Sequence, residues 1–285
     1  MATDEIPESW LVEFNARMSD QEVSHIQRPF LALLEWTKTH QCTILGESPV
    51  EKKVFDWFYA RSPAGAHLVP DMYQGVFYFD AAFWPVRVPQ MYRSNPNVNI
   101  AEFLLMPEEV KNNLFQQPEA PAQYKAVWAD CFDYSYGIDD NRFETNSAVN
   151  APFFASANQQ LSASASLLLQ RPIQPKSMES CRMAVEMFLK AYLCIHHSFT
   201  EGAARRYSHD LERSLTAILS LAPTSELQRL SGHLGVFPEV GERYVGKNYT
   251  KEELWQAYRS ALYAGACVAR SVSTRNMRAQ LGIVF

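Results

Sequence analysis

The stretch Ser177–His197, "SMESCRMAVEMFLKAYLCIHH", decides how the second half of this chain is read. Cys181, Ala184, Val185, Phe188, Tyr192 and Ile195 recur at steps of three and four, the spacing of one face of an α-helix. Glu179, Arg182, Glu186 and Lys190 fall on the polar side. Glu186 and Lys190 stand in the favourable i,i+4 order. Such a helix must bury its apolar side on neighbours, so the flanking sequence is expected to supply more helices.

The flanks do so. "FFASANQQLSASASLLLQ" precedes it, and "HDLERSLTAILSL" follows with Leu211, Leu215, Ile218 and Leu219 at helical spacing. A last long helix is expected to start at Thr250, with Glu252 and Glu253 in its first turn. Its Leu254, Tyr258, Ala261, Gly265, Val268 and Val272 again alternate steps of three and four. The small residues Ala261, Ala264 and Gly265 let a neighbouring helix approach closely. Four such helices with short connections imply an antiparallel bundle over residues 150–285.

Residues 1–149 read differently, as a mixed α+β domain. "DQEVSHIQRPFLALLEWTKTH" has helical spacing that Pro29 bends or divides. "SPVEKKVFDWFYAR" predicts a short helix with Ser48 as N-cap and Pro49 at its first position. "HLVPDMYQGVFYFDAAFWPVRVPQMY" is aromatic and β-branched, punctuated by Pro and Gly, and predicts two or three strands. "MPEEVKNNLF" predicts another short helix. The polar "GIDDNRFETNSAVNAP", Gly137 to Pro152, is the expected connector. Charge supports a division there: residues 1–149 carry 11 Lys+Arg and 21 Asp+Glu, and residues 150–285 carry 15 and 10. A sign change between halves is a domain-boundary signal.

The composition is that of an ordinary globular chain of 285 residues, 47% apolar and 20% charged. The first residues are acidic where a secretory leader needs basic ones. No apolar run is long enough to span a membrane. Cys42, Cys131, Cys181, Cys194 and Cys267 are odd in number and have no C-x-x-C spacing. They read as buried thiols in a reducing cytoplasm. No cofactor is implied.

Three pieces of the second half resemble the HEPN superfamily of helical domains. "SCRMAVEMFLKAYL" matches its A-x-E-x-x-L-K-A helix, "YSHDLERSL" its T/S-H-D-L helix opening, and "ERYVGKNYTKEELWQAYRSALYAGACVARSV" its Arg-Tyr element and final helix. The resemblance covers about half the chain. It implies a HEPN-like antiparallel bundle, homodimerisation through that bundle (the small-residue stripe points the same way) and a nucleotide or RNA ligand. Some members of the family are metal-independent RNases. In these an arginine is separated by four to six residues from a histidine late in the bundle. The histidine exchanges the proton of the 2′-hydroxyl and the arginine stabilises the phosphorane.

The chain departs from that spacing. Arg205 and Arg206 are separated from His209 by three and two residues, at the start of a helix. Ser208 is expected to cap that helix, with Asp210 and Glu212 complementing its dipole. Arg229 and His233 are also too close. Arg61 and His67 have the right count but span a Pro- and Gly-containing loop. His196 and His197 are adjacent and diverge, which suits no metal. Asp130 and Asp133 share a helix face and read as solvated acids. The aromatic run Phe77, Tyr78, Phe79, Phe83 and Trp84 reads as core. After Glu253 no acid follows, while Arg259, Arg270, Arg275 and Arg278 do; they complement the helix C-terminus or hold an anion. The expectation is a non-catalytic binding and dimerisation module, with Arg270, Arg275 and Arg278 as ligand-binding residues. One alternative is an RNase with a degenerate site of His209 with Arg205 or Arg206. The other is a small-ligand binder that uses the aromatic region.

Overall fold

The computed structural model describes residues 6–25, 27–40, 48–61, 71–89, 99–142, 152–207, 209–221, 225–239, 241 and 247–283. The chain is mostly helical with one two-stranded antiparallel sheet. It forms two compact units. One comprises residues 1–71 and 89–93, the other residues 72–88 and 94–285.

The first unit holds α1 (Glu8–Asp20), α2 (Arg28–His40) and α3 (Pro49–Tyr59). A turn at Gln21 and Glu22 follows α1, and Pro29 sits in the first turn of α2, where its missing N–H costs nothing. The Ser48 hydroxyl accepts from Glu51 N–H at 3.1 Å and so caps α3, as its sequence predicts. The apolar faces of the three helices meet in a core that includes Leu11, Phe14, Trp36, Val54 and Phe58. Trp10 stacks on Phe14 and meets Trp36 edge-on, with ring centroids 5.2 Å apart in each case. A polar staple closes the rim. Trp57 Nε1 donates to Glu8 Oε1 at 3.1 Å, and the Arg61 guanidinium lies 3.9 Å from the Trp57 ring.

The second unit begins with the hairpin β1 (Asp71–Phe79) and β2 (Ala82–Pro89). A single 3-10 turn and α4 (Glu108–Gln116) follow. Then come α5 (Ala120–Arg142), α6 (Pro152–Leu169), α7 (Ser177–His197), α8 (Glu201–Arg205) and α9 (Leu211–Leu221). The chain ends with α10 (Ser225–Leu230), a second 3-10 turn (Ser231–Val236), α11 (Lys251–Val272) and α12 (Met277–Gln280). α7 packs against α6, α9 and α11, and α11 also packs against α5. The four helices expected of residues 150–285 are therefore joined by a fifth, α5, from before the expected boundary.

That fifth helix moves the division of the chain. Residues 1–149 and 150–285 are not separate bodies, because α5 runs on to Arg142 inside the presumed connector and its inner face is built into the second unit. Small residues make the fit. A Cβ on Gly265 of α11 would lie 2.8 Å from the Phe188 ring and 3.0 Å from Tyr134. A Cβ on Gly137 of α5 would lie 3.0 Å from Ala269. Ala261, Ala264 and Gly265, the stripe that pointed to a homodimer, are buried within the chain instead.

The hairpin docks on the same helices. Phe77 is buried between Tyr124 and Trp255, as expected of a core residue, whereas Tyr78, Phe83 and Trp84 are half-buried. The Tyr258 hydroxyl on α11 meets that of Tyr73 at 3.1 Å and accepts from Val76 N–H at 3.2 Å. Gly75 permits this approach: a Cβ there would lie 2.6 Å from Cys131 Sγ. α11 starts where its sequence places it. Thr250 accepts from Glu253 N–H, and Glu253 accepts from Thr250 N–H, a complete capping box. No helix among the described residues is long and apolar enough to cross a membrane.

Candidate functional site around His209

The polar side of α7 is not solvated. Arg182, Glu186 and Lys190 are all buried, with side chains 6%, 1% and 5% exposed. α8, α9 and the His209 main chain before α9 close over that side. Burying a charge costs several kcal/mol unless it is paired, and here the charges meet one another. Lys190 Nζ donates to Glu186 Oε1 at 2.8 Å. Arg182 lies 3.6 Å from Glu186 Oε2. The same guanidinium donates from Nε to the Pro238 carbonyl at 3.0 Å and from Nη2 to the His209 carbonyl at 2.7 Å.

His209 completes the group. Its Nδ1 lies 3.1 and 3.0 Å from the two Glu186 oxygens. A carboxylate oxygen accepts, so Nδ1 faces Glu186 in the position of a donor. The imidazole is 51% exposed, so it bridges the buried carboxylate and solvent. Arg205 joins from α8. Its guanidinium lies 5.8 Å from the Phe153 ring, and Lys190 Nζ lies 5.9 Å from the same ring. Arg205 is exposed and only loosely paired, 3.6 Å from Glu201. Arg206 is exposed, and its side chain makes no hydrogen bond or ion pair with the described residues. Tyr207 beside it stacks on Phe199 and receives the Arg213 guanidinium at 5.6 Å.

The expected capping arrangement needs correction. Ser208 lies outside the described residues. The residue that caps α9 is Asp210, whose Oδ1 accepts from Arg213 N–H at 2.9 Å. His209 has the buried carboxylate of Glu186 as its partner. Sequence spacing separated Arg205, Arg206 and His209 from any site; the fold ties His209 to Glu186 and places the Arg205 guanidinium and Lys190 Nζ 5.8 and 5.9 Å from the Phe153 ring, contacts the sequence reading did not assign. The i,i+4 series Arg182, Glu186, Lys190 was the available signal, because such a row marks one helix face whether that face is wet or buried.

The C-terminal arginines do something else. Arg270 Nη1 lies 3.0 Å from Asp130 Oδ1 and 3.0 Å from Asp133 Oδ2, and its Nε 3.2 Å from Glu226. Arg278 Nη1 donates to Asp130 Oδ2 at 2.7 Å. Asp133 also accepts from Met277 N–H at 2.6 Å. Both aspartates are buried, so they are not solvated acids. Burial pushes the Asp133 carboxyl up from its ordinary value, against the pull of Met277 N–H and Arg270. Arg270 and Arg278 are buried in tying α11 and α12 to α5 and do not form an open anion site. Arg275 alone of the three is exposed, 5.0 Å over the Tyr136 ring.

Other sequence candidates disperse. Arg61 pairs with Glu8, and His67 lies outside the described residues. His196 Nε2 meets Ser271 Oγ at 2.8 Å. No group of three or more His, Cys, Asp or Glu is placed to hold a metal among the described residues. Cys131, Cys181 and Cys267 are buried free thiols, and burial pushes Cys181 up to about 12. An open cleft of about 640 Å³ lies between the turn after α10 and the start of α11, lined by residues that include His233, Phe237, Lys247, Tyr249, Glu253 and Gln256. Its mixed charges favour no single ligand class. No known protein family, curated protein or solved structure matches this chain.

Proposed function

We propose that this chain is a HEPN-like helical binding module that takes a phosphate-bearing ligand, a nucleotide or an RNA strand, on the surface formed by Arg205, Arg206 and His209. The single observation that carries the reading is the His209–Glu186 pair: a half-exposed imidazole anchored on a buried, doubly paired carboxylate, four and three residues after the exposed Arg205 and Arg206. Exposed guanidiniums beside it supply the cationic donors that phosphates require. The test is a fluorescence-anisotropy titration of a labelled short RNA at several salt concentrations. Wild type is expected to bind, more weakly as salt rises. Arg205→Glu/Arg206→Glu is expected to lose roughly tenfold or more in affinity. Equal isotherms for the two proteins contradict the reading.

The same pair favours a second reading, metal-independent RNA cleavage. A carboxylate-held imidazole is a competent proton acceptor, and Arg205, exposed and loosely paired, stands four residues before it in the chain. Purified wild type and His209→Ala incubated with RNA in EDTA separate the two. The binding reading expects intact RNA in both. Cleavage by wild type alone, with both proteins melting alike, makes the site catalytic.

A further inference from the structure

We propose that residues 273–283 form a latch: a C-terminal strap that opens as one unit while α5 and α11 stay folded, and so uncovers the acid pair Asp130 and Asp133 without unfolding the core. The latch is independent of the His209 surface.

The strap starts where α11 ends. Ser273 has extended backbone, φ −120° and ψ 157°, and α12 beyond it lies against α5. The hold on α5 is polar. Asp133 accepts from Met277 N–H at 2.6 Å and from Arg278 N–H at 3.4 Å. Arg278 Nη1 donates to Asp130 Oδ2 at 2.7 Å, and Lys125 Nζ donates to the Leu281 carbonyl at 2.8 Å. The Arg275 guanidinium lies 5.0 Å over the Tyr136 ring. Arg278 is the one buried residue of the strap, and Met277, Leu281 and Ile283 are only half-buried. α11, by contrast, buries Leu254, Tyr258, Leu262 and Val268. A segment with no buried apolar side chain has little hydrophobic free energy to hold it, and such segments lie at the low-stability end of a fold. Opening leaves no buried acid alone, which is what makes such a step costly elsewhere. Arg270 stays on α11 with its Nη1 3.0 Å from each aspartate, and water replaces the donors that the strap withdraws. Once detached, a helix of four residues cannot persist by itself. Its turn hydrogen bonds, from the N–H groups of Gln280, Leu281, Gly282 and Ile283, therefore break together with the contacts to α5.

Amide hydrogen exchange of the full chain, followed by NMR in a series of low urea concentrations, tests this. The amides of Leu281, Gly282 and Ile283 are expected to share one protection, roughly 100-fold or more below that of Tyr258 and Leu262 in α11. That protection is expected to change little with urea, because opening the strap exposes little surface, whereas the α11 amides follow the steep dependence of global unfolding. Lys125→Met removes the hydrogen bond to the Leu281 carbonyl. It is expected to lower the strap's protection roughly tenfold, the worth of one charge-assisted hydrogen bond, and to leave α11 unchanged. Arg278→Gln, which gives up the pairing with Asp130, is expected to loosen the strap at least as far. Equal protection and equal urea dependence for the strap and α11 overturn the proposal, since the two then unfold as one unit. Strap amides with no protection in wild type overturn it as well, since the latch is then never closed. Both of these readings come from the wild-type chain and need no variant to fold. A Lys125→Met chain whose strap and α11 lose protection together also contradicts a separate latch.

Discussion

At the scale of single residues, the buried charges carry the largest consequences. Arg270 lies between two buried aspartates and Glu226. Arg270→Ala leaves Asp130 and Asp133 buried with less compensation, and breaking such a pair costs about 3–5 kcal/mol. Chemical denaturation is expected to show that loss; a cost below about 1 kcal/mol, the range of an exposed pair, contradicts the burial. A smaller gain is available at the hairpin turn. Asp80 and Ala81 both have positive φ, 51° and 55°, a conformation that suits Asn-Gly. Ala81→Gly is expected to stabilise by about 0.5–1 kcal/mol, read as a raised denaturation midpoint. Lys251 donates to the Ala81 carbonyl, a main-chain contact that the substitution leaves in place.

At the scale of elements, apolar periodicity was legible and polar faces were not. α3, α7 and α11 form at the places their spacing and caps indicate, because N-cap chemistry and a 3.6-residue period are local properties. Whether Arg182, Glu186 and Lys190 face water depends on how the chain after α7 folds back over them, which the spacing within α7 does not record. Asp130 and Asp133 escaped for the same reason: their partners stand more than a hundred residues away. The His209 site was visible in pieces, as "RRYSH" and as an i,i+4 row, but its assembly is a tertiary fact. The capping box of α11 gives an element-scale expectation. Hydrogen bonds from Thr250 hold the Glu253 carboxyl below its ordinary value of 4.5. A depressed carboxyl adds stability above that ordinary value and loses it as pH falls through the folded one. Amide exchange in the first turn of α11, taken relative to the intrinsic rate at each pH, is therefore expected to accelerate at acid pH. In Thr250→Ala, which costs about 1 kcal/mol, it is expected to be fast at neutral pH already. Unchanged protection in the variant contradicts the cap's role.

At the scale of the whole molecule, the division near residue 71 replaces the one near 149. The charge change between halves is real but marks no boundary: the acidic half includes α5, whose Asp130 and Asp133 lie in an interior shared with α11 and α12. A chain beginning at residue 150 lacks α5. It leaves Arg270 and Arg278 without Asp130 and Asp133, and uncovers the α11 face that packs on α5. Such a chain is expected to unfold without a cooperative transition, whereas one beginning at residue 72 keeps the second unit's elements and melts cooperatively. A sharp melt for the shorter chain contradicts this division. The small-residue stripe of α11 is spent on α5 and α7, so any association of two chains must use another surface.

The site itself is the central claim, and its location is measurable directly. Amide and imidazole NMR shifts of the labelled full chain, followed as an oligouridylate is added, report which residues the ligand meets. The changes are expected to centre on Arg205, Arg206, Tyr207 and His209, extending to Phe153 and Glu186 beneath them. Changes centred on Arg275, or on the cleft around His233 and Lys247, or no changes at all, contradict the account.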